Sequence, residues 1–327
     1  MEHYCTYFDR RYLARGLALY RSLERHAGPF RLHALCLDEA TERALARLDL
    51  PGVERLALAA FEQGDERLLA AKKSRSLVEY YFTCTASLVL YLLRRCPEAG
   101  RVTYLDADLF FFGSPAPLFE EMGAASIALV EGRYPPQWRK KLERFGKYNV
   151  GLLVFRNDER ARACLEWWRE RCLEWCYDRL EDGKFADQKY LDEWPERFGG
   201  VTVLRHPGVN VAPWNVAGSR ITTSGGRVLV NGAPLVCYHF HNLRKVWGPV
   251  FDSGLAEYGV APVGAVRRGI YAPYLRELRR AERDSFRVGA ARRKRGVVET
   301  IRRGGALLAV GPLVLPIGLG RAGGGAC

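Results

Sequence analysis

Two aspartates interrupt an otherwise apolar stretch, VTYLDADLFFF, which runs from Val102 to Phe112. Asp106 and Asp108 lie at the end of a predicted strand, so both carboxylates point the same way where the chain leaves the sheet. Ionised groups in so apolar a setting need a partner, and two carboxylates can share one divalent cation. About one D-x-D is expected by chance in a chain of this length, but this setting predicts a cation site suited to phosphate chemistry.

The stretch belongs to an alternating pattern of strands and helices. Apolar runs alternate with segments of 3.6-residue periodicity, which predicts a parallel, doubly wound α/β sheet. Residues 132–147, with two prolines and many charges, are predicted to form a mobile loop or short helix that could lie over a site. Strands are predicted at residues 3–8, 31–37, 53–58, 126–131, 148–155, 201–204, 227–230 and 235–241, and helices at 11–26, 39–48, 74–95, 158–180 and 185–194.

Further polar residues lie at predicted strand ends or first helical turns, where ligands bind in open parallel sheets. They are Asp9, Asn149, Gly151, Asp187, Gln188 and His239. Each also has a structural interpretation. Asp9 and Asp187 could cap helices, Gly151 could mark a bulge or close packing, and a histidine ending an apolar strand is more often a core residue than a ligand.

Three common site motifs are absent from the sequence. There is no G-x-x-x-x-G-K-[ST], and no G-x-G-x-x-G follows the first strand, so nucleotide binding would need another architecture. There is also no G-x-S-x-G, which argues against a serine hydrolase with a nucleophile elbow.

Composition indicates a globular chain with a basic C-terminal part. The 327 residues are 48% hydrophobic and carry a net charge of +13. Residues 265–303 hold thirteen Lys/Arg and four Asp/Glu, hence +9, and Arg321 adds one, which leaves +3 for residues 1–264. The nine cysteines include no C-x-x-C, and the first residues resemble no export signal. We therefore expect reduced thiols and a cytoplasmic protein. If the protein attaches to a membrane, we expect it at the inner face.

Five short motifs, taken in order over residues 3 to about 247, resemble the family 8 glycosyltransferases and their bacterial relatives. The resemblance implies a glycosyltransferase A-type fold, with a Rossmann-like, mostly parallel central sheet flanked by helices. The residues themselves predict a helical, basic C-terminal extension, because 256–289 look helical although Pro262, Pro273 and several glycines break the pattern. A nucleotide-diphospho-sugar transferase domain would span residues 1–250, and the extension residues 251–327. The motifs are D-x-x-Y (Asp9, Tyr12), YLDAD (104–108), N-x-G (Asn149, Gly151), DQ (Asp187, Gln188) and H-F-x-x-x-x-K-x-W (239–247).

The resemblance also implies roles for individual residues. Asp106, Asp108 and His239 would bind Mn²⁺ or Mg²⁺, and the donor would be a nucleotide-diphospho-sugar, a UDP-sugar being favoured. Asn149, Asp187 and Gln188 would hold the transferred sugar as catalytic residues. The residues facing the rest of the donor would be Tyr7, Asp9, Arg75, Asp106, Gly151 and Lys245. The family pattern favours retention of configuration. The chain departs from it at Asn242, where glycine is usual, and at Val246, where proline is usual.

The C-terminal tail leaves the acceptor and the location open. Residues 287–303 are basic and residues 306–319 almost wholly apolar, yet fourteen residues are too few for a helix that spans a membrane, which needs about 20. An anionic membrane surface contacted through 287–319, with a glycan or lipid-linked acceptor of polysaccharide biosynthesis, is one interpretation. A disordered extension is another, and no nucleic-acid partner is expected. A non-catalytic sugar-nucleotide-binding or scaffold protein and a metal-dependent phosphohydrolase remain alternatives.

Overall fold

The computed structural model describes residues 1–290, which form a seven-stranded central sheet, helices on its two faces and several small sheets. The strands are β1 (Glu2–Phe8), β2 (Phe30–Cys36), β3 (Val53–Ala57), β4 (Arg101–Leu105), β5 (Leu109–Phe111), β6 (Ile127–Val130), β7 (Leu152–Arg156), β8 (Val201–Leu204), β9 (Ile221–Ser224), β10 (Arg227–Val230), β11 (Ala233–Pro234), β12 (Cys237–His239), β13 (Arg244–Trp247) and β14 (Val250–Asp252). The helices are α1 (Leu13–His26), α2 (Glu39–Leu48), α3 (Leu58–Glu62), α4 (Glu66–Ser74), α5 (Leu77–Arg95), α6 (Ala116–Met122), α7 (Lys140–Phe145), α8 (Glu159–Glu174), α9 (Trp194–Arg197), α10 (Pro213–Val216) and α11 (Ala272–Ala290).

The central sheet has the strand order β3-β2-β1-β4-β7-β6-β8. Neighbouring strands are parallel except around β7, which is antiparallel to both β4 and β6. Glu131 forms an antiparallel bridge with Tyr148, so the chain turns back on itself before β7 instead of crossing the sheet. The mostly parallel sheet flanked by helices is therefore confirmed, whereas a wholly parallel sheet is wrong.

Side-chain capping begins several of the helices, among them α2, α5 and α8. Asp38 accepts a hydrogen bond from the backbone N–H of Thr41 at the start of α2, and Asp158 caps α8 in the same way. Ser76 and Glu79 form a reciprocal capping box at the start of α5. These caps fix where the long helices begin relative to the strand ends.

Two apolar layers hold the helices against the sheet. On one face α5 and α8 pack together with Leu35, Tyr104 and Leu153 of the strands. On the other face α1 and α6 pack against Leu105 and Val130. All five of these strand residues are fully buried or nearly so. The central strands are thus covered on both sides, as a mostly parallel sheet requires.

The region after residue 250 packs on the sheet domain through α11. The chain is not helical around Pro262, as predicted, whereas Pro273 lies in the first turn of α11 and does not break it. A π-helical turn, Val266–Tyr271, leads directly into α11. Arg21 of α1 pairs with Glu277 at 3.1 Å and with Asp284 at 2.6 Å. Within residues 1–290 no helix combines the length and apolar composition needed to cross a membrane.

Several predicted elements differ from the observed bounds, and three do so by four or more residues at one end. β7 begins at Leu152, not at residue 148, because Asn149 bonds its side chain to the backbone N–H of Gly151 before the strand starts. α8 ends at Glu174, not at 180, since Trp175 is already extended. The helix predicted at 185–194 is a 3₁₀ turn, Lys189–Glu193, followed by α9.

Candidate functional site

The end of β4 carries the two aspartates out of the central sheet. The backbone N–H of Asp106 donates to the carbonyl of Gly151 at 2.9 Å, and the N–H of Leu109 donates back to the carbonyl of Asp106 at 3.0 Å. This turn starts β5, which pairs with β12 instead of the central sheet. Asp106 and Asp108 consequently lie at the carboxyl end of a central strand, where open α/β sheets bind ligands.

Strand β12 brings His239 to the same place. β12 pairs antiparallel with β5, with His239 opposite Leu109, and the N–H of Phe240 donates to the carbonyl of Asp108 at 3.0 Å. His239 Nε2 lies 3.1 Å from Asp108 Oδ1 and 3.4 Å from Asp106 Oδ2. One ligand atom from each of the three residues lies within 4.8 Å of the others.

The three side chains influence one another's charge because they are largely shielded from water. Burial would lower the pKa of His239, but the carboxylates of Asp108 and Asp106 raise it above the usual value. Burial would raise the pKa of Asp108, yet His239, with help from His241 and Arg15, lowers it to about 2. Burial raises the pKa of Asp106 in spite of His239, and Asp108 adds to the rise. The cluster therefore carries concentrated negative charge that is only partly neutralised.

The donor set fits a divalent cation. Two carboxylates and one imidazole nitrogen suit Mn²⁺ somewhat better than Mg²⁺, which prefers oxygen ligands and water. The hydroxyl of Tyr104 donates to Asp106 Oδ1 at 2.7 Å and so orients this carboxylate. His239 Nδ1 is buried and has no hydrogen-bond partner among residues 1–290. The imidazole is therefore positioned by packing on its Nδ1 side and by the contact of Nε2 with Asp108.

A network of side-chain amides lies beside His239. Asn149 Oδ1 accepts hydrogen bonds from the N–H of Gly151 at 3.1 Å and from Asn210 Nδ2 at 3.0 Å. Asn149 Nδ2 donates to Gln188 Oε1 at 3.1 Å, and Gln188 Nε2 donates to the carbonyl of Phe145 at 2.9 Å. The structure thus brings Asn149, Gly151 and Gln188 together.

Asp187 is a buried carboxyl group near the same site. Its residue is only 4% exposed, and burial, with a smaller contribution from Asp106, raises the pKa of Asp187 to about 7. Thr85, which acts to lower the pKa of Asp187, also shares a hydrogen bond of 3.1 Å with the hydroxyl of Tyr7. The Tyr7 ring lies 5.7 Å from that of Tyr104, centroid to centroid. Tyr7 and Asp187 therefore belong to the neighbourhood of the aspartate pair.

Asp9 and Arg75 make contacts that account for their side chains structurally. Asp9 Oδ1 accepts hydrogen bonds from the backbone N–H groups of Arg11 and Tyr12, and Asp9 Oδ2 pairs with the Arg11 guanidinium at 2.6 Å. Asp9 thus caps the turn before α1, which was one of the two interpretations of this residue. Arg75 hydrogen-bonds to Thr83 Oγ1, and its Nη2 donates to the carbonyl of Leu173 at 2.7 Å, so it ties α5 to α8.

Lys245 lies on a hairpin, β13–β14, with different neighbours. Its Nζ is 2.9 Å from both carboxylate oxygens of Glu282 on α11. Asn242, which replaces the glycine of the family pattern just before this hairpin, has φ +59°. That is the left-handed conformation, which glycine adopts most easily. The backbone at this position therefore has a conformation that suits glycine, although the residue is asparagine.

Comparison with known proteins places the chain in a family. No protein-family model matches the sequence. The protein YfnF of Bacillus subtilis (strain 168), described as uncharacterized, is 39% identical over 250 residues, which are 74% of this chain and 82% of YfnF. The chain belongs to the family of YfnF. A second uncharacterized B. subtilis protein, YfnD, is 30% identical to this YfnF-family chain over 280 residues, or 85% of the chain and 89% of YfnD.

Among solved structures, the YfnF-family chain is similar to the galactosyltransferase LgtC, crystallised in complex with donor and acceptor sugar analogs. The TM-score is 0.51 with 19% identity, covering 73% of this chain and 87% of LgtC. At this identity the likeness concerns the fold, and it confirms the predicted glycosyltransferase A-type architecture.

Two residues that the sequence motifs did not include also belong to the site of this YfnF-family chain. Asn210, at φ +51°, holds Asn149, and its own Oδ1 is buried with no partner among residues 1–290. Arg133 donates to the carbonyls of His206 at 3.2 Å and Pro207 at 3.3 Å, and so fixes the loop before Asn210. No local pattern marks either residue, because both act through contacts more than sixty residues away.

Proposed function

We propose that this YfnF-family chain is a divalent-metal-dependent glycosyltransferase of the family 8 type, which transfers a sugar from a nucleotide-diphospho-sugar. The observation that carries the proposal is the cluster of Asp106, Asp108 and His239 at the carboxyl end of the central strands. Two carboxylates and an imidazole on an A-type fold are the side chains expected to bind a diphosphate through a metal ion. The fold alone would not carry the proposal, because one fold can host many functions.

Asp106, Asp108 and His239 would hold Mn²⁺, or Mg²⁺ as the alternative. When bound, the cation would neutralise the negative charge that grows on the departing diphosphate, an effect worth several kcal/mol. The protein's own contribution is to keep the three donors in place. Tyr104 orients Asp106 through its hydroxyl, and the pairing of β12 with β5 positions His239. These contacts reduce the reorganisation needed when the metal and the donor bind.

Asp187, Asn149 and Gln188 would act on the transferred sugar. A carboxyl group whose pKa lies at about 7 can exchange its proton near neutral pH. We assign Asp187 the stabilisation of an oxocarbenium-like sugar in a retaining reaction, although the same group could serve as the base of an inverting one. The amides of Asn149 and Gln188, which hydrogen-bond to each other at 3.1 Å, would fix the sugar hydroxyls.

The remaining donor contacts rest on the resemblance more than on geometry. Tyr7 and Gly151 lie beside the aspartate pair and suit contacts with the ribose and the diphosphate. Asp9 and Arg75 would have to contact the donor while keeping their present hydrogen bonds. Lys245 would reach a diphosphate only after its ammonium group leaves Glu282, so this assignment implies movement of the β13–β14 hairpin. A UDP-sugar remains the proposed donor.

A glycan, in particular a lipid-linked one of polysaccharide biosynthesis, is the proposed acceptor. A surface beside the β13–β14 hairpin supports an approach to an anionic membrane at the inner face. Trp247 and Phe286 are 77% and 76% exposed, and Arg279, Arg283 and Arg287 line the cleft next to Phe286. Exposed aromatic rings among arginines are typical of surfaces that meet lipid headgroups. Most of the predicted membrane segment 287–319, from residue 291 on, lies outside the described residues.

The proposal can be tested by slow hydrolysis of the donor without an acceptor. Purified protein would be incubated with a panel of UDP- and GDP-sugars in Mn²⁺, Mg²⁺ or EDTA, and released nucleotide and sugar measured. We expect one UDP-sugar to be hydrolysed only with metal, about a hundredfold more slowly by Asp108→Asn, and at the wild-type rate by Asp178→Asn, a change at an exposed aspartate. Proton NMR of the released sugar would report retention.

Other outcomes correspond to the alternative functions. Metal-dependent binding of UDP without turnover of any donor would identify a sugar-nucleotide-binding or scaffold protein. Release of inorganic phosphate would identify a phosphohydrolase. Equal, metal-independent binding of UDP to wild type and to Asp108→Asn would reject the proposed metal site altogether.

A further inference from the structure

A second group of metal-binding side chains lies at the opposite end of the central strands. His3 is near the start of β1, His33 is in β2, and Cys96 directly follows α5. All three residues are buried, with exposures of 2%, 1% and 7%. One ligand atom from each lies within 4.8 Å of the others. Three different elements therefore converge on one point inside the protein.

The spacing of the atoms matches a small tetrahedral ion. His3 Nδ1 and His33 Nε2 are 3.1 Å apart. Two imidazole nitrogens on one zinc ion, each at 2.0–2.1 Å, would be about 3.4 Å apart, so a shift of a few tenths of an ångström would suffice. The competing explanation is a simple hydrogen bond between two neutral imidazoles. That bond would explain the two histidines, but it gives no reason for a thiol at the same point.

The surroundings of the two histidines favour a metal as well. Glu54 Oε2 lies 3.4 Å from His33 Nδ1, the ring nitrogen that faces away from His3. A carboxylate behind a ligating histidine is the usual arrangement around bound zinc, because it fixes the ring and its tautomer. Burial lowers the pKa of both His3 and His33, the direction that favours a neutral ring.

We propose that His3, His33 and Cys96 bind one zinc ion, which ties β1 and β2 to the end of α5. Thiolate and imidazole together select zinc over Mg²⁺ or Mn²⁺. Binding requires that the Cys96 thiol release its proton to solvent. A water molecule would complete the fourth position.

The role of this ion would be structural. His3 precedes Tyr7 by four residues, about 13 Å along an extended strand, so the ion would lie well away from the aspartate cluster. It would join β1, which carries Tyr7, to α5, which carries Thr85. The proposal is independent of any transferase activity, because it concerns stability and different ligands.

Cobalt provides a probe that separates the two metal sites. Co²⁺ bound to a thiolate shows a strong charge-transfer absorption in the near ultraviolet, which the ligands Asp106, Asp108 and His239 cannot produce. We expect reduced full-length protein to show this band on titration with Co²⁺, and Zn²⁺ to abolish it by displacement. Cys96→Ser should lack the band, whereas Cys164→Ser, a change at a buried cysteine of α8, should keep it.

Further variants guard against a failure to fold. His33→Gln should bind Co²⁺ at least about a hundredfold more weakly, and Glu54→Gln about tenfold to a hundredfold more weakly, with circular dichroism spectra like that of the wild type. Added Zn²⁺ should raise the melting temperature of the wild type and of Cys164→Ser by more than that of Cys96→Ser or His33→Gln, which keep only the site at Asp106 and Asp108. Absence of the thiolate band from the folded wild type, or its persistence in Cys96→Ser, would overturn the proposal.

Discussion

The imidazole of His239 lies directly against the backbone of Gly151. A Cβ atom added at residue 151 would be 2.6 Å from Cε1 and 2.8 Å from Nδ1 of His239, closer than such atoms approach in proteins. It would also be 2.8 Å from Asn149 Oδ1. Gly151 is therefore needed for close approach, and it links the N-x-G motif physically to the third proposed metal ligand.

Replacing this glycine should weaken the metal site more than the fold. In Gly151→Ala the methyl group must push the His239 ring away from Asp106 and Asp108, so we expect Mn²⁺ affinity to fall at least about tenfold. Overpacking should cost about 1–3 kcal/mol of unfolding free energy. Calorimetric titration with Mn²⁺ measures the first effect and urea denaturation the second.

The matched control is Gly199→Ala, because a Cβ added at residue 199 meets no atom within 4 Å. It should leave Mn²⁺ affinity unchanged. Equal Mn²⁺ affinity in Gly151→Ala and in the wild type would show that His239 does not contribute to binding.

Asp187 should make the stability of the protein depend on pH. Burial raises the pKa of Asp187 to about 7 from its ordinary value of 3.8, so between these pH values the folded state binds a proton that the unfolded state has already lost. Between about pH 4 and pH 7 this group therefore makes the protein less stable as the pH rises. Asp187→Asn removes the effect and should be more stable than wild type by a few kcal/mol at pH 8, but not at pH 4.

Urea denaturation of both proteins at pH 4.5, 6 and 8 would measure this dependence. A constant difference between Asp187→Asn and wild type across the range would contradict a raised pKa. The same variant should lose donor hydrolysis at every pH, since an amide can neither exchange the proton nor supply a negative charge.

Helix α11 should contribute to stability through Glu277. This buried carboxylate accepts hydrogen bonds from Arg21 at 3.1 Å and from Arg25 at 2.7 Å. Burial would raise the pKa of Glu277, but the two arginines, Arg25 more than Arg21, lower it. Its contribution is therefore present above the unfolded pKa of 4.5 and is lost as the pH falls through the lower folded value.

Glu277→Gln should lower the free energy of unfolding by about 2–3 kcal/mol at pH 7, because Arg21 remains buried without its full complement of acceptors. Glu282→Gln on the same helix should cost less than about 1 kcal/mol, since its pair with Lys245 is largely solvent-exposed. Chemical denaturation at pH 7 compares them, and equal effects would mean that α11 does not stabilise the fold through this contact.

The proposed membrane surface makes a separate prediction. Trp247→Ser combined with Phe286→Ser should reduce sedimentation with vesicles that contain anionic phosphatidylserine or phosphatidylglycerol, and the full chain should not sediment with neutral vesicles. The control is Leu77→Ser combined with Val78→Ser, which removes exposed apolar side chains from another surface. If the Trp247/Phe286 variant sediments as well as the wild type, the surface around these two residues does not bind the membrane.

The sequence predicted the local features of this fold well. Helix α2 and strands β8 and β10 have the predicted bounds, since regular periodicity and caps such as Asp38 act within a few residues. The reversal of β7 was missed because the direction of a strand depends on its connections, not on its own residues. The 3₁₀ turn after Asp187 was also missed. It follows Ala186, which has φ +46°, and the presence of an alanine does not predict that conformation.

In the candidate site, too, local features could be predicted from the sequence and long-range contacts could not. The aspartate pair, Asn149 and Gln188 could be found from motifs, because each motif is short and contiguous. Asn210 and Arg133 could not, since they act through contacts with distant loops. The pairing of Lys245 with Glu282 was equally hidden, because nothing in the hairpin sequence indicates that α11 lies beside it.

The pairing of β5 with β12 has a consequence for the protein during its synthesis. A nascent chain that has emerged only as far as β8 already contains all seven strands of the central sheet, together with both aspartates, but lacks His239. If the cation binds as proposed, it would stabilise only chains that have been translated past β12, because a ligand stabilises the state that holds its complete site. Prematurely terminated chains would therefore bind the metal weakly and would be more susceptible to proteolysis than full-length chains.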